Sequence, residues 1–124
     1  MNKEIDIKKI NCDLGLKETE DWGIENDDYS RVKEFINYFN KNSINFTFRA
    51  KVDFIELIMS SMNEAMLEKK VDDETTALFN VFLEYCLQDK NILVYDAVIY
   101  WKSIAEREEF PVGFLVDELL QNNK

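Results

Sequence analysis

Histidine is absent from this chain, proline occurs once, glycine three times and cysteine twice. Each shortage excludes something. Without histidine the chain lacks the usual general base at neutral pH and the commonest metal ligand. Nucleophile triads built on histidine are excluded, and two cysteines cannot make a zinc site alone. Cys12 and Cys86 lie far apart and fit no redox or metal spacing. Neither Gly15, Gly23 nor Gly113 has a companion at the spacing of a phosphate-binding loop. So few turn residues also argue against an all-β fold. No apolar run approaches a membrane span, and the N-terminus lacks the apolar stretch of a signal peptide. The expectation is a reduced, cytoplasmic protein without membrane association.

What is present is apolar and acidic. With 46% apolar and 13% aromatic residues, the 124-residue chain has material for one core, so 1–124 reads as a single domain. Its 25 acidic residues outnumber 15 basic ones, leaving a net charge of −10. Such a surface repels the nucleic-acid backbone and anionic lipid, so direct binding to either is not expected. A cation, a basic protein or plain water remain as its counterparts.

Apolar spacing of three and four residues predicts helices. The clearest pair fills 52–87. Phe54, Ile55, Leu57, Ile58, Met62, Ala65 and Met66 form one face, and Leu78, Phe79, Phe82, Leu83, Cys86 and Leu87 form the next. Between them Lys69-Lys70 gives way to Asp72-Asp73-Glu74, which suits the end of one helix dipole and the start of the next. Thr47 and Asn91 stand where helix caps belong. Further helices are predicted over 29–40, 92–105 and 111–121, with Pro111 opening the last. Residues 1–12 alternate Ile5, Ile7 and Ile10 with charge, which fits a strand or a helical turn equally. A frayed tail is expected at Asn122-Asn123-Lys124. The predicted architecture is all-α: a compact bundle of about five main helices around a central helical hairpin, behind an irregular acidic N-terminal segment.

That acidic segment draws attention. Seven acidic residues between Asp13 and Asp28 face Lys17 alone, a local charge of −6. Glu18, Glu20, Asp21, Glu25, Asp27 and Asp28 surround Trp22, with Tyr29 just behind. Carboxylates beside an aromatic anchor suit a basic partner, since interface hot spots favour Trp and charge complementarity speeds encounter. The plain alternative is that Trp22 and Tyr29 pin a solvated loop to the core. Glu106, Glu108 and Glu109 form a second acidic group, placed where they would oppose the dipole of the preceding helix. Other carboxylate pairs, Asp53 with Glu56 and Glu64 with Glu68, read as solvated helix faces. No stretch has the spacing of a calcium loop, and Asp72-Asp73-Glu74 reads as a helix start. No cofactor, metal or catalytic residue is expected, and the chain does not read as an enzyme.

In size, acidity and helical pattern over its whole length, the chain resembles the immunity proteins of bacterial toxin systems, contact-dependent and colicin-type. The resemblance implies a cytosolic inhibitor that occludes the active site of a cognate, basic, nuclease-type toxin domain. Abundant Asn, Ile, Lys and Phe fit a bacterial or phage origin. Two other readings are a helical adaptor that grips its partner in an apolar groove, and a phage-type inhibitor that imitates nucleic-acid charge.

Overall fold

The computed structural model describes residues 3–122 and contains seven α-helices and no named strand among them. They are α1 (Lys3–Leu14), α2 (Trp22–Glu25), α3 (Val32–Asn42), α4 (Phe48–Leu67), α5 (Asp73–Leu87), α6 (Ile92–Ser103) and α7 (Val112–Asn122). Short 3-10 turns occupy Tyr29–Arg31 and Ser43–Asn45. The expected all-α class holds, with seven helices in place of about five.

α4 is the axis of the molecule. The Thr47 hydroxyl caps its start by accepting from the Ala50 N–H at 3.2 Å. Its apolar residues Phe54, Ile55, Leu57, Ile58, Met59 and Met62 are fully or almost fully buried. Phe54 packs its ring against Trp22, Phe35, Tyr38, Phe39 and Phe46. α1, α2, α3, α6 and α7 all approach α4 closely. α5 instead makes its main approaches to α3, α6 and α7. The 52–87 segment is thus two successive helices, as expected, but a single central helix replaces the central hairpin. Phe39 of α3 bridges them, with Phe54 on one side and Phe82 on the other.

The turn after α4 explains how the chain leaves that axis. Lys69 adopts φ +56°, and the Lys70 N–H donates back to the Ala65 carbonyl at 2.9 Å. That is the six-residue closure usual at helix ends, with lysine where glycine is the unstrained choice. Asp72 then caps α5, accepting from the Thr75 N–H at 2.7 Å, and Asn91 caps α6 through the Leu93 N–H at 2.9 Å.

The N-terminal region is more ordered than an irregular segment. Residues 3–14 are helical, which resolves the strand-or-helix ambiguity for that part of 1–12; positions 1 and 2 lie outside the described residues. Ile10 is fully buried, and Asp6 accepts from the backbone N–H of Thr47 at 2.8 Å, fastening α1 to the start of α4. Gly15, at φ +68°, ends α1, as the break expected there requires. The helix predicted over 29–40 begins with a 3-10 turn capped by Asp28 and becomes α-helical only from Val32. Tyr29, assigned to its apolar stripe, is exposed.

Two boundaries near the C-terminus also differ. α6 ends at Ser103, so Glu106, Glu108 and Glu109 do not sit on its last turn. α7 runs to Asn122 with Pro111 just before its first residue; positions 123 and 124 of the expected tail lie outside the described residues. α6 and α7 meet closely at Gly113, where a Cβ would come within 2.2 Å of the Trp101 carbonyl oxygen. Phe114, expected on the apolar face of α7, is half exposed, and Val112 and Val116 are buried in its place.

Candidate protein-binding surface

The two acidic segments are far apart in sequence, but α4 holds both. Ser60 and Ser61 receive the first. The Ser60 hydroxyl donates to Asp27 at 2.6 Å, and the Ser61 hydroxyl accepts from the Asp28 N–H at 3.0 Å. One turn further on, Asn63 receives the second. Its amide donates to the Glu109 carbonyl at 2.8 Å and accepts from the buried Val112 N–H at 3.1 Å. Three buried polar residues of α4 are thus the docking points for both loops. Each is buried, so each bond stands in for lost water.

Trp22 is not available as an exposed anchor. It is 6% exposed, stacks obliquely on Phe54, and its indole N–H donates to Asn11 at 2.7 Å. The fixing role, not the anchoring one, matches where the structure puts it: a large apolar ring is worth more in the core than in water. Trp22 opens α2 against α4, and Gly23 leaves room for the Glu56 side chain. A Cβ there would lie 2.8 Å from a carboxylate oxygen of Glu56.

The acidic residues divide by what they already do. Asp28 accepts from the Ser30 N–H and hydroxyl, Glu25 from the Asp21 N–H, and Glu106 from the N–H groups of Glu108 and Glu109. Glu106 and Phe110 also exchange backbone hydrogen bonds, closing the 106–110 turn. The Glu106 carboxylate therefore stabilises a turn, and the expected conflict with a helix dipole does not arise. Glu18, Glu20, Asp21, Glu108 and Glu109 are exposed. Glu18 and Glu20, with Glu4 and Asp53, line a cavity of about 140 Å³ whose apolar walls are Ile7 and Trp22. Lys3 and Lys8 line it too, and Lys3 pairs with Asp53 at 3.2 Å.

The structure adds carboxylates that the sequence had placed on solvated faces. Asp53, Glu56, Glu64 and Glu68 follow one side of α4 at steps of three and four residues, interrupted by Ser60 where Asp27 docks. Burial, then the nearby charges of Asp53 and Asp21, push the Glu56 carboxyl above its ordinary range. Burial, then Asp27 and Glu68, do the same to Glu64. Among the described residues no cation pairs with Asp21, Asp27, Glu56 or Glu64. From Glu56 to Glu64 the row covers about 12 Å of helix axis. The result is a line of mutually repelling carboxylates on a rigid helix, edged by two acidic loops.

No group of three or more candidate ligand side chains among the described residues could hold a metal ion. No described helix is long and apolar enough to cross a membrane. Comparison with known protein families, curated proteins and solved structures found no match.

Proposed function

We propose that the acidic side of α4, with the loops docked on it, binds a basic protein, and that the chain is a stoichiometric inhibitor of the immunity type. The observation that carries this reading is a cluster of carboxylates without an ion-pair partner among the described residues: Glu56 and Glu64 on α4, with Asp21 near the first and Asp27 near the second. Like charges held together on a helix face weaken the free protein and are relieved when a cationic surface arrives. The mechanism is occlusion without turnover: lysines and arginines of a nuclease-type toxin domain would be covered by carboxylates in place of its nucleic-acid substrate. Glu18, Glu20, Glu108 and Glu109 extend the surface on either side. The cavity beside Trp22 has the apolar walls and acidic lining to receive one basic side chain. The site of action on this reading is the cytoplasm of a bacterial cell.

The experiment is affinity capture from the source cell by the native chain and by the Asp21→Asn/Glu56→Gln/Glu64→Gln variant, at low and high salt. The expected result is a basic protein retained by the native chain at low salt, released by high salt and lost with the variant. Its nucleic-acid-degrading activity should vanish when one equivalent of the native chain is added. A captured partner of neutral or acidic character, or one held equally by the variant, would overturn the proposal.

A further inference from the structure

A helix that packs on one side is normally polar on the other. α6 is not. Its only charged residues are Asp96 and Lys102. Val94, Val98 and Trp101 face inward and are buried. On the outer side Ile92 is 64% exposed, Leu93 51% and Tyr100 58%. Steps of three and four residues put 92, 93, 96, 97 and 100 on one face. Contiguous apolar exposure of this kind marks an interaction surface.

Beside this face runs a groove of about 480 Å³ between α6 and the first turns of α4. Val52, Leu93 and Ala97 give it apolar lining, and Phe48, half exposed, precedes it on α4. Four charges also line it: Lys3 and Arg49 against Asp53 and Asp96. Lys3 and Asp53 pair with each other at 3.2 Å. Arg49 and Asp96 line the same groove without forming an ion pair among the described residues. Here, then, is a patch of zero net charge on a chain of −10, holding one unused cation and one unused anion.

We infer that a second copy of this chain docks here, α6 against α6, with Arg49 of each copy facing Asp96 of the other. A two-fold contact pairs residue i with j and j with i, so one unused charge of each sign is what such a contact consumes. A strongly basic partner gains nothing from a neutral patch, and elsewhere two copies repel. The apolar stripe supplies the contact area, and the two ion pairs set the register. Asp53, held by Lys3, borders both surfaces, but Arg49 and Asp96 belong to the groove and Glu56 and Glu64 lie further along α4, so this inference stands apart from the proposed inhibitor role.

The test is sedimentation of the full chain at rising concentration, alone and as charge variants. The native chain should pass from 14.7 kDa to twice that mass. Arg49→Asp and Asp96→Arg, each at an exposed position, should keep the native melting curve in dilute, monomeric solution and each weaken dimerisation by at least about tenfold. Mixing the two variants should restore the dimer, because every facing pair is again opposite in sign. A native chain that stays monomeric into the millimolar range would overturn the inference. So would a dimer indifferent to either substitution, or variants that remain monomeric when mixed.

Discussion

α4 and α6 pack against each other, and each leaves part of its surface open, in opposite ways. On α4 the open side carries Glu56 and Glu64, which find no cation among the described residues and are crowded by neighbouring carboxylates. On α6 it carries Ile92, Leu93 and Tyr100, with almost no charge. Neither side is what stability alone would select: one stores repulsion, the other leaves apolar area in water. On the proposed reading the acidic side takes a partner of opposite sign, and on the inferred one the apolar side, balanced in charge, takes a second copy of the chain. Both open sides stand on one shared core, so substitutions should separate what belongs to the core from what belongs to a surface.

The largest effect should come from the shared core. Phe54→Ala removes the ring that five other aromatic rings surround, and should cost about 3–5 kcal/mol in denaturant unfolding. It should damage both surfaces together. Phe82→Ala, in the same cluster through Phe39, should cost a similar amount.

Next comes an effect confined to the acidic side. Asn63→Ala leaves the Val112 N–H buried without a partner and frees the Glu109 carbonyl, at a cost of about 1–3 kcal/mol. Hydrogen exchange should show the loss at 106–112, with the α6 amides unchanged.

A smaller effect has the opposite sign. Glu56 is raised in the folded chain, so its charged form opposes folding at neutral pH. That penalty is complete above the raised value and absent below the unfolded carboxylate value of about 4.3. Glu56→Gln should therefore raise the melting temperature at pH 7 by about 1–2 °C, a figure discounted for partial solvent screening. The gain should disappear near pH 4. Asp72 works the other way: the Thr75 hydrogen bond lowers it, so its contribution is present at neutral pH and fades as pH falls through that lowered value. Only the difference between variant and native chain isolates Glu56.

The smallest effect belongs to α6. Leu93→Gln should change the stability of dilute, monomeric protein by no more than about 0.5 kcal/mol, because the side chain is half exposed. A loss of several kcal/mol in chemical unfolding would make Leu93 a core residue and close the gap between the two surfaces.

Much of this fold could be read from residue spacing. α4, α5 and α6 announce themselves through apolar periodicity, and Thr47 and Asn91 cap as expected. α1 could not be read, because Ile5, Ile7 and Ile10 satisfy both periods; the decision rests on Asp6 reaching Thr47, 41 positions away. α2 is four residues long, too short for any period, and exists because Trp22 packs on Phe54. The acidic loops were visible as composition. Their union with Glu56 and Glu64 was not, since nothing local says that Ser60 and Asn63 receive them. The signal was there in weak form: three small polar residues interrupt the apolar run of a long helix, and carboxylates flank them at helical spacing. The α6 stripe was equally open to view, but apolar residues all round a helix read as burial until the structure shows which side is uncovered.

The central claim is that the carboxylate row on α4 is kept for a cationic surface. It is tested most directly by the rate at which the captured basic partner associates with the native chain and with the Asp21→Asn/Glu56→Gln/Glu64→Gln variant, as ionic strength rises. Steered association should slow about tenfold or more between low and high salt for the native chain, with dissociation little changed, and the variant should lose most of that dependence. Equal rates for the two proteins at low salt, or a native rate indifferent to salt, would contradict the account.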